Sequence, residues 1–464
     1  MTASPIVSLE TLRAVAHEVL QLTAADTASI TIHHRAVGMA RVAMGRVRMQ
    51  DNGDQMYLGL MTQFGQRAQV VLTLNQIDRR SLRQAVAYLD RAARELPGDP
   101  TSVATPIPAR TYLPNSSWSD HTAAAFADAR HSAVRALVAP VLDAGLTASA
   151  FVGVYAHAML YADKQGIFAD GQETDSEIVA TGWSPDGKGA GWAGQASRDW
   201  ATLDPARVAA RTIELTQRSA NPVAFEPGRR TVILDRPAVA QIVRTMGPSF
   251  SAQQTLSGQT ALYNPFTRRP RLGERIMDPR ITMSSDPNDP DGGYLPFNWM
   301  GFPLIPMTWV ERGVHTNLAF DADFAAQMGY TPANDWPESL RLRAAPSATL
   351  TTVEEMIANC AEGIYVNRLV YVGGAGGNEP DGMLKGITTG GCFLVKNGTI
   401  VKAIQNLRFL DSPWLFFNRL EAIGASKRTS LGYAPWAGSW PIAPVIVPPL
   451  MVRDFNFTAL ADSV

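Results

Sequence analysis

Cysteine is scarce in this chain of 464 residues, which contains only Cys360 and Cys392. The two stand too far apart in sequence for a CxxC pair, and they match neither a zinc knuckle nor a disulfide framework. We interpret both as reduced, buried thiols, which fits a reducing compartment.

A charge excess of one sign is also missing, because 41 Lys and Arg residues balance 42 Asp and Glu residues and leave a net charge of −1. Nucleic acids and membrane surfaces therefore have no compositional support as partners. The sequence has no run of about 18 apolar residues, and its start lacks the basic region and apolar run of a signal peptide. We expect a cytoplasmic protein.

What the chain does contain is an ordinary globular composition, with 46% hydrophobic and 18% charged residues. A chain of this length is expected to form two domains. The sequence turns polar and gains prolines at 221–228. We therefore predict an N-terminal α/β domain over 1–222 and a C-terminal β-rich domain over 223–464.

Strand-like patterns dominate the beginning of the first domain. Residues 28–35 alternate between apolar and polar side chains, and 38–49 continue the pattern. The segment Asp51–Asp54 has the composition of a turn, and 56–64 and 67–74 predict two further strands. Because segments with helical spacing stand nearby, we predict an antiparallel sheet with flanking helices.

The pattern of apolar, glycine and proline residues changes beyond this sheet. A glycine-rich loop is predicted over 184–194, and a strand (Thr231–Asp235) followed by a short helix (Ala238–Met246) opens the second domain. Short apolar runs separated by Pro and Gly then predict a β-rich sandwich or a barrel-like domain. Within it, Cys392–Ile404 predicts a hairpin that turns on Asn397-Gly398. The predicted fold class is α+β.

The histidines do not form a metal-binding motif. His17 has no second histidine one helical turn further on, which a zinc helix would need. His33 and His34 are adjacent in a predicted strand, so their side chains are expected on opposite faces and cannot bind one ion. His157 lies in an apolar strand, and we interpret it as a satisfied core or sheet-surface histidine.

The glycine-rich segment Gly373–Gly377 follows a predicted strand but fits no nucleotide motif. A dinucleotide fingerprint would need a glycine where Glu379 stands, and no Gly-Lys-Ser/Thr sequence of a P-loop occurs. Two interpretations stay open. The segment is either a tight connector that needs positive φ angles or a loop whose exposed amides bind a peptide.

Four segments of the second domain resemble the TldD/PmbA metallopeptidase family in their order along the chain. They are 229–262, 272–314, 369–409 and 415–428, and the last three contain "LGERIMDPRITMSSDP", "GGCFLVKNGTIVKAIQNLRF" and "LEAIG". The resemblance covers roughly residues 220–464. It implies a fold shared with the catalytic TldD subunits, in which two histidines of an HExxxH helix and a later cysteine bind zinc.

This chain departs from the catalytic pattern. The segment that corresponds to HExxxH is about Arg244–Ser249, no histidine occurs between His157 and His315, and no cysteine follows residue 400. Arg244 would also oppose a divalent cation at this position. The resemblance therefore implies a PmbA/TldE-like, non-catalytic subunit with no cofactor of its own, and zinc is expected in the partner subunit.

Our leading hypothesis is a subunit of a TldD/TldE-type heterodimer that contributes to a cleft for unfolded peptides and is inactive without its TldD-like partner. The predicted peptide contacts are Gly374, Gly376, Gly377, Asn378, Gly391 and Cys392. One alternative is a stand-alone homodimeric binding or scaffold protein of the same fold. Another is an enzyme with altered, metal-independent chemistry.

Overall fold

The computed structural model describes residues 4–67, 69–98, 111–126, 128–330, 334–374, 382–432 and 444–461. The chain is 25% helix and 42% strand, which confirms the predicted α+β class. No helix within the described residues is both long and apolar enough to cross a membrane. The boundary at residue 222 stays a prediction.

The elements of the chain fall into two groups. The first group comprises α1 (Leu9–Leu22), β1 (Thr27–Ala43), β2 (Arg46–Gln63), β3 (Val70–Leu74), α2 (Arg79–Glu95), α3 (Asp120–Ala124), α4 (Ala129–Asp143), β4 (Thr147–Asp163), β5 (Phe168–Trp183), β6 (Ala190–Ser197) and α5 (Pro205–Arg218). The second group comprises β7 (Gly228–Leu234), α6 (Arg236–Met246), α7 (Ala252–Leu256), β8 (Tyr263–Asn264), β9 (Arg269–Pro270), β10 (Ile281–Ser285), β11 (Met307–Glu311), β12 (Val314–His315), α8 (Ala322–Met328), β13 (Arg341–Ala344), α9 (Val353–Ala358), β14 (Glu362–Gly374), β15 (Leu384–Lys396), β16 (Thr399–Ala403), β17 (Leu407–Asp411), α10 (Pro413–Phe416), β18 (Leu420–Ile423), β19 (Lys427–Thr429), β20 (Val445–Val447) and β21 (Leu450–Leu460).

The first group builds one antiparallel sheet in the order β3-β2-β1-β4-β5-β6, which we call the N-terminal sheet. Helices α1 and α2 cover one face of the sheet, where Ile30 and Ile32 of β1 are fully buried among them. Side chains alternate between the faces of a strand, so the residues between these isoleucines project from the other face. This confirms the predicted antiparallel sheet with flanking helices.

The predicted turn at Asp51–Asp54 is wrong. The chain reverses at Met44-Gly45, where both residues have positive φ, and β2 then runs straight through Asp51–Asp54 beside β1. Positive φ at both central residues is the requirement of a type I′ hairpin turn. The polar composition of 51–54 reflects a strand whose two faces are both largely exposed, and composition alone does not distinguish such a strand from a turn.

The predicted glycine-rich loop over 184–194 is only partly correct. Residues from Ala190 onward form β6, which pairs with β5 from Trp183 to Ser176. Glycine is needed here because helix α5 approaches the strand closely: a Cβ atom at Gly191 would lie 2.3 Å from the backbone nitrogen of Thr216. The glycines therefore mark close packing between a helix and a strand.

The second group forms a barrel-like arrangement and a separate six-stranded sheet. Strands β14, β7, β21, β17 and β15 pair in sequence, and β15 also pairs with β14, which closes the ring. Helix α6 lies in the core of this region, with Val239, Ile242 and Val243 fully buried. The predicted β-rich, barrel-like domain is confirmed.

The predicted hairpin is also confirmed. Lys396 pairs with Thr399, and Asn397 and Gly398 between them both have positive φ. A Cβ atom at Gly398 would lie 2.6 Å from the carbonyl oxygen of Ala358, so the turn packs tightly against α9.

We predict that Gly191→Ala lowers the free energy of unfolding by about 2–3 kcal/mol, because the added methyl group meets the backbone of α5. Urea unfolding followed by circular dichroism measures the change. Gly98→Ala is the control, since a Cβ atom there has nothing within 4 Å. Equal stability of the two variants would contradict the assigned packing.

Candidate functional site

A cavity of about 1180 Å³ lies between the helix-free face of the N-terminal sheet and the C-terminal half of the chain. Strands β1, β4 and β5 form its floor. Its opposite wall comes from loop segments around residues 293–304 and 335–340, together with Arg428 and the end of α6. A pocket of this size exceeds the usual range for small-molecule sites and is large enough for a peptide segment.

The strand register places ionisable side chains in one row across the cavity floor. Arg35 on β1 pairs with His157 on β4, and His157 pairs with Glu173 on β5. Directly opposed residues project from the same face of a sheet, so all three line the cavity. One row further along, Tyr155 stands opposite Asp175.

His33, His157 and Glu173 form a hydrogen-bonded chain. The Nδ1 atom of His157 lies 2.9 Å from Oε1 of Glu173, and its Nε2 atom lies 3.3 Å from Nδ1 of His33. Burial lowers the pKa of His33 to about 2 and that of His157 well below its ordinary value. Burial also raises the pKa of Glu173 to about 7. Both imidazoles are therefore neutral at physiological pH.

The structure confirms the expected positions of the histidines. His33 faces the cavity, whereas His34 faces the helices, where its Nδ1 atom accepts a 2.7 Å hydrogen bond from the backbone nitrogen of Val7. Nε2 of His34 contacts Asp54. His157 is 2% exposed and hydrogen-bonded through both nitrogens, as expected for a satisfied histidine.

Two carboxylates of β5 connect the floor of the cavity to the C-terminal half through hydrogen bonds. The guanidinium of Arg428 donates to both oxygens of Asp175. Glu177 accepts hydrogen bonds from the hydroxyl of Ser430 and the backbone nitrogen of Gly432. Burial raises the pKa of both carboxyl groups, and Arg428 opposes this effect at Asp175.

Carboxyl groups also stand on the opposite wall. Burial raises the pKa of Glu338 to about 7, and the charges of Asp335 and Glu173 add to the effect. Asn298 donates from Nδ2 to Asp335 over 2.8 Å. Its Oδ1 accepts from the backbone nitrogens of Met300 and Phe302. An ionised aspartate at position 298 could not donate a hydrogen bond to Asp335, whereas the amide of Asn298 can.

Aromatic side chains surround the cavity entrance. Trp299, Trp336 and Tyr57 line the cavity and are 58%, 42% and 44% exposed. Tyr155 is 6% exposed, and its hydroxyl oxygen has no hydrogen-bond partner among the described residues. The entrance is therefore adapted to apolar or stacked contacts.

The predicted peptide-binding residues do not line this cavity where the structure describes them. Gly374 is the exposed last residue of β14, while Gly391 and Cys392 are buried in β15. Gly376, Gly377 and Asn378 lie outside the described residues. Their contact with a peptide stays a prediction.

Sequence reasoning missed most of the cavity residues. Glu173, Asp175 and Glu177 occur at every second position of one strand, and this spacing alone places three carboxylates on one face. The sequence alone could therefore have predicted this acidic face. The convergence of the 293–304 and 335–340 segments onto the same face had no local signal, because it depends on how the two halves pack.

The residues at the end of α6, where the sequence resemblance predicts the position of HExxxH, do not fit a zinc ion. Helix α6 ends at Met246 without histidine, glutamate or cysteine, and Arg244 and Gly247 face the cavity. The nitrogens of His157 are already engaged by Glu173 and His33. Among the described residues, no group of three or more His, Cys, Asp or Glu side chains is placed to hold a metal ion.

Comparisons with solved structures define the class of fold. TldE from Thermococcus kodakarensis superposes with a TM-score of 0.80 at 15% identity over 97% of this chain and 100% of that chain. A Thermotoga maritima protein, crystallised as a candidate modulator of a DNA gyrase, superposes with a TM-score of 0.81 at 14% identity over 96% and 100%.

Sequence comparisons give the family. A protein from Archaeoglobus fulgidus named a metalloprotease is 25% identical over 305 residues, which cover 61% of this chain and 68% of that protein. Residues 227–459, half of the chain, match the PmbA/TldA metallopeptidase C-terminal domain. This chain therefore belongs to the PmbA/TldD metallopeptidase family.

We predict that Glu173→Gln raises the free energy of unfolding by about 2 kcal/mol at pH 8 and has little effect at pH 4. A carboxyl group whose pKa is raised from 4.5 to about 7 by folding stabilises the folded state below pH 4.5, and this stabilisation is lost as pH rises through about 7. Urea unfolding between pH 4 and pH 8 measures the difference.

Glu95→Gln, at an exposed position of α2, is the control and should leave the pH dependence unchanged. A Glu173→Gln variant with the same pH dependence as the original chain would show that Glu173 is not buried as described.

We also predict that Tyr155→Phe raises the free energy of unfolding by about 1 kcal/mol, because it removes a buried hydroxyl that lacks a partner. The control is Tyr365→Phe. The Tyr365 hydroxyl donates to Asp235 over 2.6 Å and accepts from Arg211 over 2.9 Å, so its removal should cost about 1–3 kcal/mol. Thermal and urea unfolding report both changes, and a stability loss in Tyr155→Phe would contradict the assignment.

Proposed function

We propose that this chain is a non-catalytic subunit of a TldD/TldE-type metallopeptidase and that its cavity forms part of the peptide-binding cleft. The observation that carries the proposal is the cavity-facing end of α6. In catalytic relatives the corresponding helix supplies the zinc ligands and the glutamate that activates water, whereas here it presents Arg244 and Gly247.

A guanidinium at this position disfavours a divalent cation through charge repulsion. The two imidazoles that line the cavity, those of His33 and His157, contact each other, and His157 also contacts Glu173. Hydrolysis by a zinc-bound water therefore requires a partner subunit that carries the metal.

The cavity has the features that an unfolded peptide needs. Its aromatic entrance offers Trp299 and Trp336 for side-chain contacts, and its volume of about 1180 Å³ takes several residues. The barrel also supplies the exposed end of β14 at Gly374, where an extended peptide could add a strand because β7 pairs with β14 only from Ile364 to Val366. Backbone pairing of this kind binds many sequences, which suits a subunit that handles flexible peptides.

One observation favours a second candidate, an enzyme with metal-independent chemistry. The chain of His33, His157 and Glu173 resembles the arrangements that orient a general base. Its weakness is the pKa of His33, which burial lowers to about 2, far from the range in which a base works well near neutral pH. We therefore prefer the non-catalytic role.

Reconstitution with an HExxxH-bearing relative encoded in the same genome tests the proposal. We expect the mixed sample to cleave an unstructured peptide only when zinc is present, and we expect neither protein to do so alone. Trp299→Ala should raise the KM of the pair about tenfold by removing an exposed aromatic contact at the entrance.

Tyr88→Ala is the control, because Tyr88 is an exposed aromatic residue on α2 that does not line the cavity. Failure of the pair to form, or cleavage by this chain alone, would overturn the proposed role. Equal KM values for the two variants would contradict the proposal that the cavity forms part of the peptide-binding cleft.

A further inference from the structure

Carboxyl groups outnumber guanidinium groups among the described residues that line the cavity. The carboxyl groups are those of Asp54, Glu173, Asp175, Asp335 and Glu338. The guanidinium groups are those of Arg35, Arg244 and Arg428. Arg35 and Arg428 offset the two carboxyl groups on β5, because both arginines lower the pKa of Glu173 and Arg428 also pairs with Asp175. The excess of negative charge therefore lies on the opposite wall and at the entrance.

Glu338, on the opposite wall, is the carboxyl group with the fewest partners. It is mostly buried, and its carboxyl group forms no hydrogen bond or ion pair with the part of the chain that the structure describes. Burial, Asp335 and Glu173 together raise its pKa to about 7, and no guanidinium group of the described residues opposes them. A buried carboxylate without a partner is unfavourable, so a cation that enters the cavity would stabilise its ionised form.

An indole ring belongs to the same wall. The backbone nitrogen of Glu338 donates to the carbonyl oxygen of Trp336 over 3.0 Å, so the two residues share one tight turn. The ring packs against the end of α6, since a Cβ atom at Gly247 would lie 3.6 Å from Cζ2 of the indole. Trp336 is nevertheless 42% exposed and lines the cavity. An aromatic ring that is fixed on one side and open on the other is a favourable contact for a cation.

The neighbouring wall segment contributes a second indole and is also fixed. Trp299 lines the cavity and is 58% exposed. Its carbonyl oxygen accepts a 3.0 Å hydrogen bond from the hydroxyl group of Thr31 on β1. The hydrogen bond from Asn298 to Asp335 connects the two wall segments. Because the wall is already ordered, a ligand that binds there loses less free energy to the ordering of the protein.

We propose that this wall is a subsite for a cationic side chain of the bound peptide, and for arginine in particular. The guanidinium group would lie against an indole ring and donate to the carboxylate of Glu338. A guanidinium group is planar and weakly hydrated, so it combines stacking with a charge-assisted hydrogen bond better than the ammonium group of lysine does. This inference rests on the proposed peptide cleft and adds to it a preference for one class of side chain.

Calorimetric titration of the purified full-length chain with matched peptides tests the proposal. The two peptides are unstructured pentapeptides, blocked at both ends, with either arginine or its uncharged isostere citrulline in the centre. The titration is made at pH 8, where most of the Glu338 carboxyl group is ionised. We expect the arginine peptide to have a Kd about tenfold lower than that of the citrulline peptide, because only the arginine peptide brings a charge to the wall.

The variant Glu338→Gln should bring the two Kd values close together by weakening the binding of the arginine peptide. The amide keeps the shape of the side chain and removes its charge, so the variant is expected to fold, which thermal unfolding checks. Glu311→Gln is the matched control, because Glu311 is an exposed residue of β11 that does not line the cavity. This control should keep the preference for arginine.

The outcomes separate this subsite from the peptide cleft itself. Equal affinity of the original chain for both peptides, or a preference that Glu338→Gln leaves unchanged, would overturn the subsite and leave the cleft in place. Binding of neither peptide would contradict the cleft and the subsite with it. A citrulline peptide with a free amino terminus that binds as tightly as the blocked arginine peptide would assign the cation to the peptide terminus and overturn the side-chain assignment.

Discussion

The cavity depends on a single constraint in the N-terminal sheet: helices cover one of its faces, so alternate residues of β1, β4 and β5 must project from the other. Through this alternation the row of Arg35, His157 and Glu173 lies between two packed halves of the chain. Ionisable groups taken out of water are tolerated only when they are neutral or paired. The histidines are neutral, Glu173 has a raised pKa, and Asp175 pairs with Arg428.

These pairs also explain how the two halves are held together. The acidic positions of β5 accept hydrogen bonds from 428–432 of the C-terminal half, and the second sheet is therefore attached to the first by specific polar contacts. Such contacts fix orientation more than they add stability, because the cost of desolvation offsets most of the attraction. This attachment determines the shape of the cavity. The end of α6 lines the cavity through Arg244 and Gly247.

Local sequence signals predicted the elements well wherever one residue type controls the geometry. Asn397-Gly398 predicted a hairpin because positive φ favours these residues, and the alternation of 28–35 predicted β1. The turn assigned to Asp51–Asp54 was wrong because an exposed edge strand has the polar composition of a turn. The cavity could not be predicted as a whole, since Glu173 and Glu338 approach each other only through packing between the halves. The absence of HExxxH was the one site property that the sequence alone made visible.

Our central proposal is that the end of α6, where the resemblance predicts the family's metal position, carries side chains that do not bind zinc. Zinc titration of the purified chain, followed by elemental analysis after dialysis, tests it most directly. We predict much less than one zinc ion per chain and no hydrolysis of an unstructured peptide. One tightly bound zinc ion per chain, accompanied by peptide hydrolysis, would contradict it.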